Sequence, residues 1–205
     1  MPGRRSSHRQ GGTCRTLATE LVQLSGEHHF QMMLGHGMFF MGWASVEAGD
    51  RESGVALMEQ GLGQLTHSGR RVTRPYMQTV LALAKGELGM IADACELVEE
   101  ALRATEAQGE GWSEAELHHV KGRLLIARGH FDESEIHFRQ SIEISRSQGA
   151  RVFELRAAMS LARLWRDQGK VQQARELLAP VYGWFTEGFD TLDLKEAKAL
   201  LEELA

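Results

Sequence analysis

The chain has 205 residues, of which 42% are hydrophobic and 25% charged, with a formal net charge of −5. That apolar content suffices for a continuous core, whereas the acidic balance argues against wholesale binding to nucleic acid or to an anionic membrane, both of which need a basic surface. Two cysteines, Cys14 and Cys95, make no disulfide framework and point to a reducing compartment, and the most apolar run, Met38 to Ala44, is too short to span a bilayer, so a cytoplasmic location is expected.

Residues 1–12 are rich in Gly, Arg and Ser without an apolar period and are expected to be disordered. From there a metronome begins. Glycine recurs every twenty residues at Gly49, Gly69, Gly89, Gly109, Gly129, Gly149 and Gly169. Each closes a helix-length segment, and glycine is the residue that accepts the left-handed conformation that stops a helix. Two segments make a forty-residue repeat. Seven residues before alternate turns stand Gly42, Ala82, Gly122 and Ala162, and five after them Gly54, Ala94, Ser134 and Ala174, all small. Met58, Val98, Phe138 and Leu178, and then Leu62, Leu102, Ile142 and Tyr182, are large. Small residues let two helices of a hairpin approach closely; large ones four apart fill the seam with the next hairpin.

In this frame Cys14, Ala18 and Val22 fall on Gly54, Met58 and Leu62, so 13–26 reads as the second helix of a hairpin whose first helix is missing. Its Leu17, Leu21 and Leu24 are expected to lie uncovered, giving self-association through the N-terminal end or fraying. Four hairpins follow, at 27–69, 70–109, 110–149 and 150–188. Thr73 is expected to cap a helix with Pro75 in its first turn, and Ser113 to cap another while Glu116 reaches back to its amide. Lys85 and Gly86 stand where aromatic or aliphatic residues would pack. Residues 189–204 form a last helix, apolar at Leu194, Ala197, Leu200, Leu201 and Leu204 and charged on its other side, that covers the end of the stack. The expected fold is all-α: a right-handed solenoid of antiparallel helical hairpins, one domain over 13–204, with a C-terminal capping helix.

The small residue, Gly and Ala of one hairpin, as in Leu161-Ala162 with Trp165, Gly169 and Ala174, resemble the tetratricopeptide pattern, whose usual period is shorter. More specifically, Ala115 to Ala150 and Glu154 to Leu204 resemble the C-terminal helical-repeat region of bacterial multidomain signalling proteins, in which a nucleotide cyclase homology domain and a P-loop ATPase precede the repeats. The resemblance implies a protein-binding, regulatory or scaffolding region. No residue here matches the family's catalytic or nucleotide-binding motifs, and no Gly-x-x-x-x-Gly-Lys-Ser/Thr occurs.

Candidate chemistry is sparse. Nine histidines include the adjacent pairs His28-His29 and His118-His119, but neighbours on a helix point about 100° apart and cannot share one ion. Glu114, Glu116 and His118 have no nucleophile near them in sequence. We expect no enzyme activity, cofactor or metal. In tetratricopeptide-like stacks the first helices line a concave groove, and the corresponding offsets select Phe39, Trp43 and Tyr76 at an aromatic end and His119, Arg123, Arg156, Arg163 and Arg166 at a basic end. Arginine forks suit carboxylates and aromatic rings supply anchoring area, so an acidic peptide segment is the expected partner. The alternative is a small-molecule sensor with its ligand beside Trp43 and Tyr76.

Overall fold

The computed structural model describes residues 4–66, 73–108 and 111–205, and among them it is helical without strand. In chain order the helices are α1 (Arg4–Glu27), α2 (Gln31–Glu47), α3 (Arg51–Thr66), α4 (Arg74–Glu87), α5 (Ile91–Gln108), α6 (Glu114–Ala127), α7 (Phe131–Gln148), α8 (Arg151–Asp167), α9 (Val171–Gly183) and α10 (Leu192–Glu203), with a 3-10 turn at Gly111–Ser113 before α6. The chain divides into two compact units, Met1–Ala104 and Thr105–Ala205. The turns expected at Gly69 and Gly109, and residues 1–3 of the segment expected to be disordered, lie outside the described residues.

The described glycines of the series do what the period requires. Gly49, Gly89, Gly129, Gly149 and Gly169 all have positive φ, from 66° to 100°. After Gly49 the Asp50 amide donates to Ser45 O, and after Gly129 the His130 amide donates to Leu125 O, closing the last helical turn. The series continues one step beyond the glycines. His29 has φ 57°, and the Phe30 amide donates to Ser25 O as at the other turns. An imidazole therefore stands where a left-handed residue is required, a position that costs about 1–2 kcal/mol for a residue with a Cβ. No turn interrupts α1, whose helical backbone begins at Arg4 and so runs into the segment expected to be disordered.

Within unit 1 the hairpin α2–α3 is held by glycine against glycine. A Cβ placed on Gly42 would lie 2.6 Å from Gly54 O, and one on Gly61 would lie 2.6 Å from both Gly35 O and Phe39 N. Gly35 and Gly42 are seven apart on α2, and Gly54 and Gly61 seven apart on α3, so two antiparallel crossings bring the backbones together. Phe39, Met58, Leu62, Leu65, Met77 and Leu81 form the core. Lys85, at a packing position, is buried but not idle: its ammonium pairs with Glu59 on α3 and lies 3.7 Å from Asp93 on α5.

In unit 2 serine does part of glycine's work. Ser134 Oγ donates to Gly122 O at 2.8 Å and Ser141 Oγ to Ala115 O at 2.7 Å, tying α7 to the backbone of α6. Leu155, Leu161, Trp165, Leu178, Leu194 and Leu200 fill the core between α8, α9 and α10. At the α7–α8 turn, buried Glu154 takes hydrogen bonds from Arg146 Nε and Arg151 Nη1. The capping box expected at Ser113 does not form. The 3-10 turn puts Ser113 at φ −99°, ψ −1°, close to helical, so its hydroxyl is buried without a partner rather than aimed at the first free amides, and Glu116 turns inward. Thr73 likewise makes no side-chain cap bond, although Pro75 does stand in the first turn of α4.

Candidate functional site

The candidate residues lie on the first helices of the hairpins, those of α2 and α4 in unit 1 and, taken separately, those of α6 and α8 in unit 2. In unit 1 the aromatic set separates. Phe39 is 1% exposed because it lies on the side of α2 that meets Gly61 of α3, so it belongs to the core and lines no groove. Trp43 is half-buried and packs against the same core, and Tyr76 is exposed. On the same helix His36 Nδ1 donates to Met32 O at 2.9 Å, and its Nε2 lies 3.5 Å from Thr73 Oγ1.

In unit 2 three of the four arginines of α8 are met by three carboxylates of α10. Arg156 makes a forked contact with Asp193, its Nη2 donating to Oδ2 at 2.9 Å and its Nε to Oδ2 at 3.1 Å. Arg163 Nη2 donates to Glu196 at 3.0 Å, and Arg166 Nη1 donates to Glu203 while its Nε donates to Asp167 at 3.0 Å. Asp167 and Glu203 together raise the pKa of the Arg166 guanidinium and hold it charged. The result is a ladder of ion pairs in which the arginine side chains keep 39%, 40% and 35% exposure. The sequence held the signal: Asp193, Glu196 and Glu203 share one face of the last helix. Reading that helix as a cap alone overlooked which neighbour its acidic face would meet.

Beside the ladder, Glu116 and His119 are buried on α6. His119 Nε2 shares a hydrogen bond with Ser160 Oγ of α8 at 2.9 Å, and its Nδ1 faces Glu116 Oε2 at 3.7 Å. Burial pushes the Glu116 carboxyl up, but the adjacent His119, with Arg156 and Arg123, outweighs it and holds the group below its ordinary value. Carboxylate, imidazole and hydroxyl thus stand in series. Ser160 is mid-helix in α8, where the backbone amides are spent on helical bonds. Arg123 is exposed on α6.

Sequence reasoning missed one histidine contact. His118 Nδ1 and His137 Nδ1 are 2.9 Å apart across α6 and α7, with ring centroids 5.2 Å apart and planes 23° apart. Those values describe rings nearly coplanar and nose to nose, sharing one proton, rather than stacked faces. Burial, then His137 and Lys121, lower the pKa of His118 to about 4. Among the described residues no group of three or more His, Cys, Asp or Glu is placed to hold a metal ion, and no helix is long and apolar enough to cross a membrane.

Residues 155–180, which span most of α8 and α9, match the tetratricopeptide repeat family. Solved structures share the fold. BtubC (BKLC) from P. vanneervenii aligns over 100% of this chain and 90% of its own with a TM-score of 0.70 at 12% identity. A point variant of a putative kinesin light chain with nearly identical TPR-like repeats, from Podosopora anserina, aligns over 87% of this chain and 92% of its own with a TM-score of 0.64 at 21% identity. A protein of Rhizobium meliloti (strain 1021), itself described as uncharacterised, is 30% identical over 149 residues, 72% of this chain. This chain spans 14% of that relative's length. The fold is therefore that of the TPR-like helical repeat proteins, which are typically protein–protein interaction modules.

Proposed function

We propose that this chain is a non-catalytic, protein-binding repeat region working in a bacterial signalling protein of the kind that carries nucleotide cyclase homology and P-loop ATPase domains, in the cytoplasm. Its partner presents an acidic segment to the first-helix face of unit 2. The observation that carries the reading is the row of Arg156, Arg163 and Arg166 along α8, with Arg123 exposed on α6. The Arg163 and Arg166 pairs with α10 are exposed and the Arg156 pair is half-buried; exposed ion pairs contribute about 0–1 kcal/mol, so incoming carboxylates can exchange with those of α10 at little cost. The sensor alternative draws less support, because Trp43 packs against the core. A cleft of about 840 Å³ in unit 1 is lined elsewhere, by Glu59, Arg74, Lys85, Asp93, Glu100 and Arg103 among others.

The test is fluorescence anisotropy of a labelled Asp/Glu-rich peptide against the full chain. Affinity should fall as salt rises, since contacts at an open surface are screened. Charge reversal at Arg163 and Arg166 should weaken binding at least tenfold, whereas reversal of exposed Arg175 on α9 should not. Arg146 would be a poor control because it holds buried Glu154. Equal binding by the doubly reversed chain would remove the arginine face as the site.

A further inference from the structure

Two repeats apart in the forty-residue frame, Glu59 and Lys85 match Arg139 and Trp165. In unit 2 those positions close on each other: Arg139 Cζ lies 5.0 Å from the centroid of the Trp165 ring, whose Nε1 donates to Glu135 at 2.9 Å. In unit 1 an ammonium takes the place of the indole. Lys85 is buried in the 840 Å³ cleft that α3, α4 and α5 enclose, with Glu59 at 2.5 Å and Asp93 at 3.7 Å. Glu96 stands one turn beyond Asp93 on the same face of α5 and lines the same end, so three carboxylates there meet one ammonium. At the other end Arg74 and Arg103 balance Glu99 and Glu100, and Leu62, Leu81 and Leu97 make the stretch between apolar. Gly63 of α3 widens that stretch. Nothing lies within 4 Å of where its Cβ would stand, and its counterparts are Arg103 and Glu143, so neither packing nor the repeat calls for glycine, the weakest helix former after proline.

We propose that this cleft binds a short segment of a partner protein in which lysine or arginine adjoins apolar residues. The cationic head supplies the charge that Lys85 alone leaves short among Glu59, Asp93 and Glu96, and the apolar residues lie along Leu62 and Leu97 beside Gly63. Charge complementarity fixes the orientation, and apolar burial holds the rest of the segment. The volume is that of a binding cleft rather than a packing defect, for which about 300–1,000 Å³ is usual. All three walls come from residues 59–103, so the cleft needs no further repeat to complete it. An acidic segment of the kind proposed for unit 2 is repelled here by the excess of carboxylates. The cleft is in unit 1 and the arginine ladder in unit 2, so this proposal stands or falls apart from the acidic-partner reading.

The probe is a labelled, acetylated and amidated peptide of sequence Lys-Arg-Leu-Val-Leu, titrated into the full chain. Anisotropy should saturate, with affinity falling as salt rises, and amide exchange should slow over residues 93–100. Gly63→Gln puts a neutral side chain into the cleft and favours the helix, so it should weaken binding at least tenfold without lowering the melting temperature. Glu96→Lys should also weaken it at least tenfold, whereas reversal of exposed Glu20 on α1, or of Arg163 and Arg166 together, should leave it unchanged. No binding at millimolar peptide, or equal binding by the Gly63→Gln or Glu96→Lys chain, would overturn the proposal. Equal binding of a peptide with serines in place of its apolar residues would do so too, since the site would then be a general attraction for small cations, and so would equal loss on reversal of Glu20, which would make it an effect of net charge.

Discussion

Gly61 and Gly63 are two residues apart on α3, and the structure gives the same substitution opposite signs at them. Alanine at either gains about 0.8–1 kcal/mol of helix propensity over glycine. At Gly63 nothing lies within 4 Å of the added methyl, so Gly63→Ala should stabilise by about that amount. At Gly61 the methyl would lie 2.6 Å from Gly35 O and from Phe39 N, about 0.8 Å inside an ordinary contact, and both atoms are backbone, which cannot turn aside as a side chain can. α2 must withdraw, which also loosens the Gly42–Gly54 crossing one heptad away and unseats Phe39. Overpacking of this kind costs about 1–3 kcal/mol, more than the propensity gain at most of that range. Urea denaturation followed by circular dichroism should therefore place Gly63→Ala above and Gly61→Ala below the parent, separated by the overpacking cost of about 1–3 kcal/mol, or several degrees in Tm for a chain of this size. If Gly61→Ala were as stabilising as Gly63→Ala, the close approach of α2 and α3 would be refuted.

Further outcomes follow from single positions. His29→Gly should relieve the left-handed strain at the α1–α2 turn and raise stability by about 1 kcal/mol; an unchanged or lower melting temperature would show that the imidazole is held there at no cost. Gln78 is 1% exposed with both amide atoms unpartnered, and Met38 holds the matching position of the preceding repeat, so Gln78→Met should stabilise by about 1–2 kcal/mol, and a loss in chemical denaturation would mean that the amide has a partner. His118 should titrate near pH 4 by NMR, below the 6.5 of an unfolded histidine. Because folding favours its neutral form, the stability it contributes is whole above about pH 6.5 and is lost as pH falls through 4; His118→Gln should flatten that acid limb, and titration at 6.5 would contradict the nose-to-nose pair. A double-mutant cycle on Arg156 and Asp193 should give a coupling of about 1 kcal/mol or less, whereas several kcal/mol would mean that the ladder is too firm for a partner to exchange with.

The order of helices was legible in the sequence because a helix end is a local event. At the described turns of the series a left-handed glycine terminates the segment, and small residues recurring at forty mark where two backbones touch, so hairpins and their close faces follow from period alone. His29 escaped because the same backbone conformation was met by a residue that does not advertise it. Ser113 misled for the converse reason: its sequence is that of a cap, but a 3-10 turn ahead of it fixed its backbone close to helical. The candidate surface depended on something further. A 3.6-residue period says which side chains share a face, and it selected Phe39 with Trp43 and the arginines of α8 together. It does not say which neighbour that face meets. The depth of the glycine crossings put Phe39 inside the core, and the seating of α10 on α8 delivered Asp193, Glu196 and Glu203 to Arg156, Arg163 and Arg166, contacts 33 to 37 residues apart that only the packed hairpins could bring within hydrogen-bond reach.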